Sequence, residues 1–215
     1  TQSRSSAASD VYKRQSFYSA YNGSTVYSPI ATQYYNKAKS HVTNALTYST
    51  KDVFDTSAAA ISNPINNPSA VLTEIGSALS KANTPVVAGG YYPLYTDIPR
   101  GTAGYCAFHG SGTVNGQAIT YAFFFSLSGD SGCAASTTSN TLSATTQAVI
   151  NVSAHEFVEM ITDPQLNAWF DSKGYEIGDK CAWNYKGTQT LTGASNNIAF
   201  LLQGEWSNAI SACAW

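Results

Sequence analysis

Residues 153–181, SAHEFVEMITDPQLNAWFDSKGYEIGDKC, limit what this chain can fold into more than any other stretch. Of 13 Asp and Glu in 215 residues, six fall in the 24 residues of segment 156–179: Glu156, Glu159, Asp163, Asp171, Glu176 and Asp179. His155, one of three histidines, opens the run, and only Lys173 and Lys180 offset it locally. The chain is otherwise poor in charge, with 11% Asp, Glu, Lys and Arg against the usual quarter or so. Carboxylates gathered in such a chain need a bound cation or a set of buried hydrogen bonds.

The spacing predicts a helix over 143–162. Ala144, Ala148, Val152, Phe157, Val158 and Ile161 recur at helical steps, Ser143 is a suitable N-cap, and Pro164 stops the run. Residues four apart share a helical face, so His155 and Glu159 point the same way with Glu156 beside them. Glu159 and Asp163 fall at the C-terminal end, where the helix dipole disfavours acids by a few tenths to roughly 1 kcal/mol each. A metal ion would neutralise that end.

His155-Glu156-x-x-Glu159 is one substitution away from His-Glu-x-x-His, in which ligands at i and i+4 hold zinc and the intervening Glu is the general base. Asp163 cannot be the third ligand on a continuing helix, because eight residues of rise carry it roughly 12 Å from His155. Glu176 and Asp179 follow a turn at residues 171–174 and can fold back onto the helix. The candidate metal set is therefore His155, Glu159 and Glu176 or Asp179, with zinc as the cation. Glu in place of the second His makes zinc a poorer Lewis acid. A satisfied His–carboxylate network and a calcium ion held by oxygens are the competing readings.

At this length one domain with a real core is expected. A net charge of −2 without a basic stripe gives no footprint for nucleic acid or an anionic membrane, and no apolar run reaches the ~18 residues of a membrane span. Residues 1–15, TQSRSSAASDVYKRQ, resemble the translated read-through of a sequencing adapter and are set aside as a non-native leader. Residues 16–215 form the expected domain, truncated at its N-terminus. Within it, Ile30, Tyr34, Ala38, Val42 and Leu46 predict an amphipathic helix over 28–48 carrying an exposed His41. Val71, Leu72, Ile75 and Leu79 predict a second over 69–81. Segments 86–95, 103–108 and 118–127 read as strands, with Asn115-Gly116 as a hairpin turn. A polar loop over 128–140 precedes the motif helix; a Gly/Thr-rich loop and a strand near 198–203 follow Cys181.

The four cysteines form no C-x-x-C pair, and their even number in a Ser/Thr/Tyr-rich chain points to an oxidising, secreted setting. Counting leaves three pairings open. Cys106–Cys133 with Cys181–Cys213 closes the shorter loops and ties down the carboxylate-bearing segment.

Several motifs, in order, carry a family resemblance: Cys106-Ala-Phe-His109-Gly; His155-Glu-x-x-Glu159 with Asp163-Pro164; Asn167-Ala-Trp169; Glu176-Ile-Gly-Asp179 with Cys181; Phe200-Leu-Leu-Gln-Gly-Glu-Trp206; and Ala212-Cys213-Ala. Together they resemble the EXORDIUM-like, or phosphate-induced, protein family, secreted wall-associated proteins of plants with bacterial relatives. The likeness runs from about Leu72 to the end. The family's opening strand with its aromatic-Tyr-Gly motif is missing, which fits the expected truncation. The resemblance implies a role in growth and cell-wall signalling and supplies no chemistry. The order of elements is also that of the zincin catalytic lobe, a fold-level analogy. The expected fold is thus α/β (α+β), a zincin-like mixed sheet with packed helices and a carboxylate-bearing loop after the motif helix.

Two classes of function follow. One is a secreted zinc hydrolase acting on peptide, in which Glu156 is the general base and His109 steadies the oxyanion. The other is a non-catalytic extracellular module with a structural or calcium-binding cluster, whose Tyr and Trp residues bind a cell-wall polymer or a partner.

Overall fold

The helix carrying the His-Glu pair, α4 (Ala144–Thr162), runs through the middle of the molecule. Its start is fixed by the Ser143 side chain, which accepts a hydrogen bond from the Thr146 amide at 3.1 Å. Fourteen of its 19 residues are buried, which marks a helix covered on more than one side. The computed structural model describes residues 2–42, 46–49, 52–57, 60–134, 142–191 and 198–215.

One side of α4, through Ala148 and Val152, packs on a three-stranded sheet. The strands are β1 (Tyr91–Pro99), β2 (Ala107–Val114) and β3 (Gln117–Ser126). They lie in the order β1-β3-β2, with β1 parallel and β2 antiparallel to β3. Asn115 and Gly116, at φ of 49° and 77°, make the two-residue turn between β2 and β3 that left-handed residues favour. Helix α3 (Pro68–Lys81) buries Val71, Ile75 and Leu79 in the same core. It comes so close to β2 that a Cβ on Gly112 would overlap the Leu72 side chain.

The opposite side of α4, through Ile150, Ala154, Phe157 and Val158, enters a second core built from α1 (Gln2–Tyr21), α2 (Ser28–Ala31) and β5 (Ala199–Gln203). Strand β5 pairs with β4 (Tyr185–Thr190), and β6 (Glu205–Ser207) pairs with β7 (Ala212–Ala214). Helices and mixed sheets in one domain make this an α+β fold.

One helical expectation comes out differently. The stretch 28–48 is helical only at α2. Beyond it the Asn36 side chain accepts from the Ala38 and Ser40 amides, Lys39 turns left-handed, and Val42 bonds back to Tyr34, making a reversal where a helix was expected. Short polar side chains that bond their own backbone compete with the helix in this way. Residues 43–45 of that stretch lie outside the described residues, as do 135–140 of the polar loop and 192–197 of the Gly/Thr-rich one. Helix α1 passes without a break across the boundary set at residue 15, and Arg14 lies 4.6 Å from the Tyr95 ring centroid.

Both disulfides, Cys106–Cys133 and Cys181–Cys213, are those that close the shorter loops. They are compatible with an extracellular protein. Among the described residues no helix is long and apolar enough to cross a membrane.

Candidate metal centre

A polar stripe on α4 builds the site. Gln147, Asn151, His155 and Glu159 follow one another at four-residue steps along one face. Gln147 exchanges two hydrogen bonds with the Leu201 backbone, and Asn151 accepts from the Gln203 amide at 2.7 Å. His155 Nδ1 lies 2.9 Å from the Gln203 side-chain nitrogen, and Glu159 Oε1 accepts from the Asp179 amide at 3.0 Å. The first two residues fix the rotation of α4 against β5. The last two meet the loop that carries Glu176 and Asp179.

The six acids of the run divide into two uses. Asp163 Oδ1 accepts from the Asn167 and Ala168 amides, and Asp171 Oδ1 from those of Lys173 and Tyr175, so these two close turns. Glu156, Glu159, Glu176 and Asp179 converge instead, joined by His155 from α4 and His109 from β2. Their ion pairs among the described residues are with the two histidines. Lys180, the nearest lysine in sequence, turns to Asp171 at 3.1 Å and lies over the Trp206 ring.

Two groups of ligand atoms result, His155–Glu159–Asp179 and His109–Glu156–Glu159, each with its atoms within 4.8 Å of one another. In the outer group His155 Nε2 is 3.1 Å from Glu159 Oε2 and 3.6 Å from Asp179 Oδ1. In the inner group His109 Nδ1 is 3.5 Å from Glu156 Oε2 and 3.9 Å from Glu159 Oε2. Tetrahedral zinc with bonds of about 2.0–2.2 Å has edges of roughly 3.3–3.6 Å between ligand atoms, so small movements suffice in either group. The outer group reaches solvent through His155 and Asp179, whose side chains are 17% and 39% exposed. The inner group is buried. Of the two candidate third ligands, Asp179 joins His155 and Glu159, while Glu176 Oε1 sits 3.6 Å from His109 Nε2.

Burial and mutual repulsion set the protonation. Burial pushes Glu156 up, and Glu176 rises to about 8 because it is buried and faces Glu159. Asp179 is also raised, by burial and then by Glu159. Burial works to raise Glu159 as well, but the charge and hydrogen bond of His155 outweigh it and hold the carboxylate below its usual range. Burial lowers both imidazoles, and their carboxylate neighbours more than reverse this. His155 ends well above the ordinary histidine value through Glu159, and His109 at about 9 through Glu156, Glu176 and Glu159. Without a cation, these shifts favour protons on the histidines and on Glu176. Buried oxygens of Glu156 (Oε2) and Glu176 (Oε1) still have no hydrogen-bond partner, the kind of vacancy a cation can fill.

Two residues were not singled out by sequence reasoning. Gln203 joins the His155 ring to the Gly178 carbonyl. Glu205, 2% exposed and with neither carboxyl oxygen hydrogen-bonded, is held well above the usual range by burial. Both lie in the Phe200–Trp206 motif, and a polar pair at the end of an apolar strand was the available signal.

Gly178 touches the centre directly. A Cβ there would lie 2.8 Å from His155 Nδ1 and 2.9 Å from Glu159 Oε1. Its backbone angles, φ −76° and ψ −43°, suit any residue, so the cost is steric. Gly178→Ala is expected to weaken zinc binding by about 10–100-fold, the scale for disturbing what orients a ligand, with its circular dichroism unchanged. Zinc titration against a competing chelator measures this.

Comparison with protein-family models, curated proteins and solved structures finds no match to the chain.

Proposed function

We propose that the chain is a secreted zinc-dependent hydrolase of metallopeptidase type, with the metal held by His155, Glu159 and Asp179. The carrying observation is the outer group: one imidazole and two carboxylates spaced like zinc ligands and open to solvent on one side, as a catalytic zinc requires. Zinc, when bound there, supplies Lewis acidity at the mouth of the site. The remaining steps belong to the chain. Glu156 and Glu176 each keep a carboxyl oxygen free of hydrogen bonds, and burial raises the proton affinity of both, Glu176 to about 8, which suits groups that take and return a proton. His109 stands between them, 3.5 Å from Glu156 and 3.6 Å from Glu176. The ordered motifs resembling the EXORDIUM-like family support an extracellular, wall-associated setting, and the likeness of His155-Glu-x-x-Glu159 to the zincin motif suggests peptide as the substrate class.

One observation favours a non-catalytic module. The Gly178 carbonyl can only accept, so it faces the Gln203 amide nitrogen. In the neutral ring, the same nitrogen facing His155 Nδ1 places the ring proton on Nε2, toward Glu159. In that state His155 donates to a carboxylate and is not a ligand. Metal analysis of the purified chain decides between the two, followed by casein and peptide-library assays with and without chelator. Stoichiometric zinc with chelator-sensitive cleavage is expected. Bound metal without cleavage, or no metal at all, overturns the hydrolase.

A further inference from the structure

The inner group has a problem of its own. His109 Nε2 lies 3.1 Å from the Asp163 carbonyl oxygen, which can only accept, so this nitrogen carries the ring proton. In the neutral ring, Nδ1 then presents a lone pair to Glu156 Oε2 at 3.5 Å and Glu159 Oε2 at 3.9 Å. With that ring neutral and both acids ionised, three acceptors meet inside the protein: the side chains of His109, Glu156 and Glu159 are 3–4% exposed. Glu156 Oε2 has no hydrogen-bond partner at all. A proton shared by His109 Nδ1 and Glu156, or a metal ion in its place, has to sit at that point. A histidine whose far nitrogen donates to a backbone carbonyl and whose near nitrogen faces carboxylates is arranged as a metal ligand.

We propose that His109 Nδ1, Glu156 Oε2 and Glu159 Oε2 bind a second divalent cation, with Glu159 shared between the inner and outer ions. This rests on the metal-dependent reading above and deepens it. Glu159 is placed for sharing, because its Oε2 is the atom near both histidines while Oε1 is held by the Asp179 amide. Charge agrees: Glu156, Glu159, Glu176 and Asp179 carry four negative charges when ionised. One divalent ion balances two of them and leaves the rest to protons, whereas two ions balance all four. Paired hydrolytic ions typically stand about 3.5–4 Å apart. With the inner ion in place Glu156 is a ligand, and Glu176, with its free Oε1, is left to move the proton.

The test is zinc stoichiometry of the full chain, measured by mass spectrometry after saturation with zinc and removal of the excess. The wild type should hold two zinc per chain, and His109→Ala and Glu156→Gln one each. The Gln variant keeps the shape of the side chain, so it serves if the Ala variant fails to fold. One zinc in the wild type that survives His109→Ala overturns the inner site and leaves the proposed hydrolase standing. One zinc that disappears in His109→Ala supports the inner site and removes the outer one. Two zinc in both the wild type and His109→Ala place the second ion elsewhere and overturn the proposal. No zinc overturns both readings.

Discussion

Glu156→Gln is expected to lower peptide hydrolysis by about 10²-fold or more, the scale on which a positioned acid–base group is lost, while the fold and the zinc at His155, Glu159 and Asp179 persist. Gln has nearly the shape of Glu, and Glu156 is not among the outer ligands. What disappears is a carboxylate 3.5 Å from His109, in a helix packed on both sides. The loss follows whether Glu156 moves a proton itself or holds the inner ion beside the outer one. His155→Ala should behave differently. It removes an outer ligand, so that zinc is lost along with activity, and it leaves Glu159 and Asp179 facing each other without the imidazole between them. Cleavage rates and zinc content on both variants separate the cases. Equal background cleavage in the wild type and both variants, with zinc bound to the wild type, would make this a structural metal site.

The parts of the fold that could be read ahead are those specified locally. Helix α4 has a cap at Ser143, a helical apolar repeat and a proline after its end. The β2–β3 hairpin has Asn115-Gly116, and the cysteines pair across the shorter loops. Where local chemistry competes with the pattern, the reading fails. The repeat from Ile30 to Leu46 is real in the sense that Ile30 and Tyr34 are buried and Val42 and Leu46 pack against the same core. Asn36 nonetheless bends the chain into a reversal. Strand β2 lies at Ala107–Val114, mostly beyond the expected 103–108, and runs through Gly110 and Gly112, which look like breakers. Gly112 instead lets Leu72 of α3 approach the strand. The Gly/Thr-rich residues of strand β4 read as loop because they are mostly polar; the pairing with β5 makes them a strand.

The site was legible in part for the same reason. His155 and Glu159 share a face by helical geometry alone, and that face extends back through Asn151 and Gln147, a stripe visible in the sequence as polar residues every fourth position. The side on which His109 and Gln203 meet this stripe depends on how β2 and β5 pack against α4. No spacing along the chain encodes that. The choice between Glu176 and Asp179 likewise turns on which of them the Asp179–Cys181 turn brings to His155.

The largest loss of stability is expected from Phe157→Ala, at about 3–5 kcal/mol, the usual cost of emptying a buried phenylalanine site. The ring is 4% exposed, and its centroid lies 5.8 Å from that of Tyr18, 6.1 Å from Tyr21, 5.6 Å from Tyr27 and 5.9 Å from Tyr91. It therefore joins α1, the turn before α2 and the first strand of the sheet to the helix that carries the site. Tyrosines that bond through their hydroxyls cannot easily collapse into the space. Tyr18 is one, tied to Tyr95 at 2.9 Å, and the cavity should stay largely open. Urea unfolding should show a lower midpoint at nearly the same slope. A double-mutant cycle with Tyr21→Leu should recover about 0.5–1.5 kcal/mol of coupling between the two rings. Phe157 follows His155 by two residues and so projects to the other side of α4. Zinc binding should therefore survive at temperatures where the variant is folded. A loss under about 1 kcal/mol would fall short of any buried phenylalanine and would mean that α1 does not dock on this face of α4. Loss of zinc from the still-folded variant would mean that the aromatic core, and not the polar stripe alone, holds His155 and Glu159 in register.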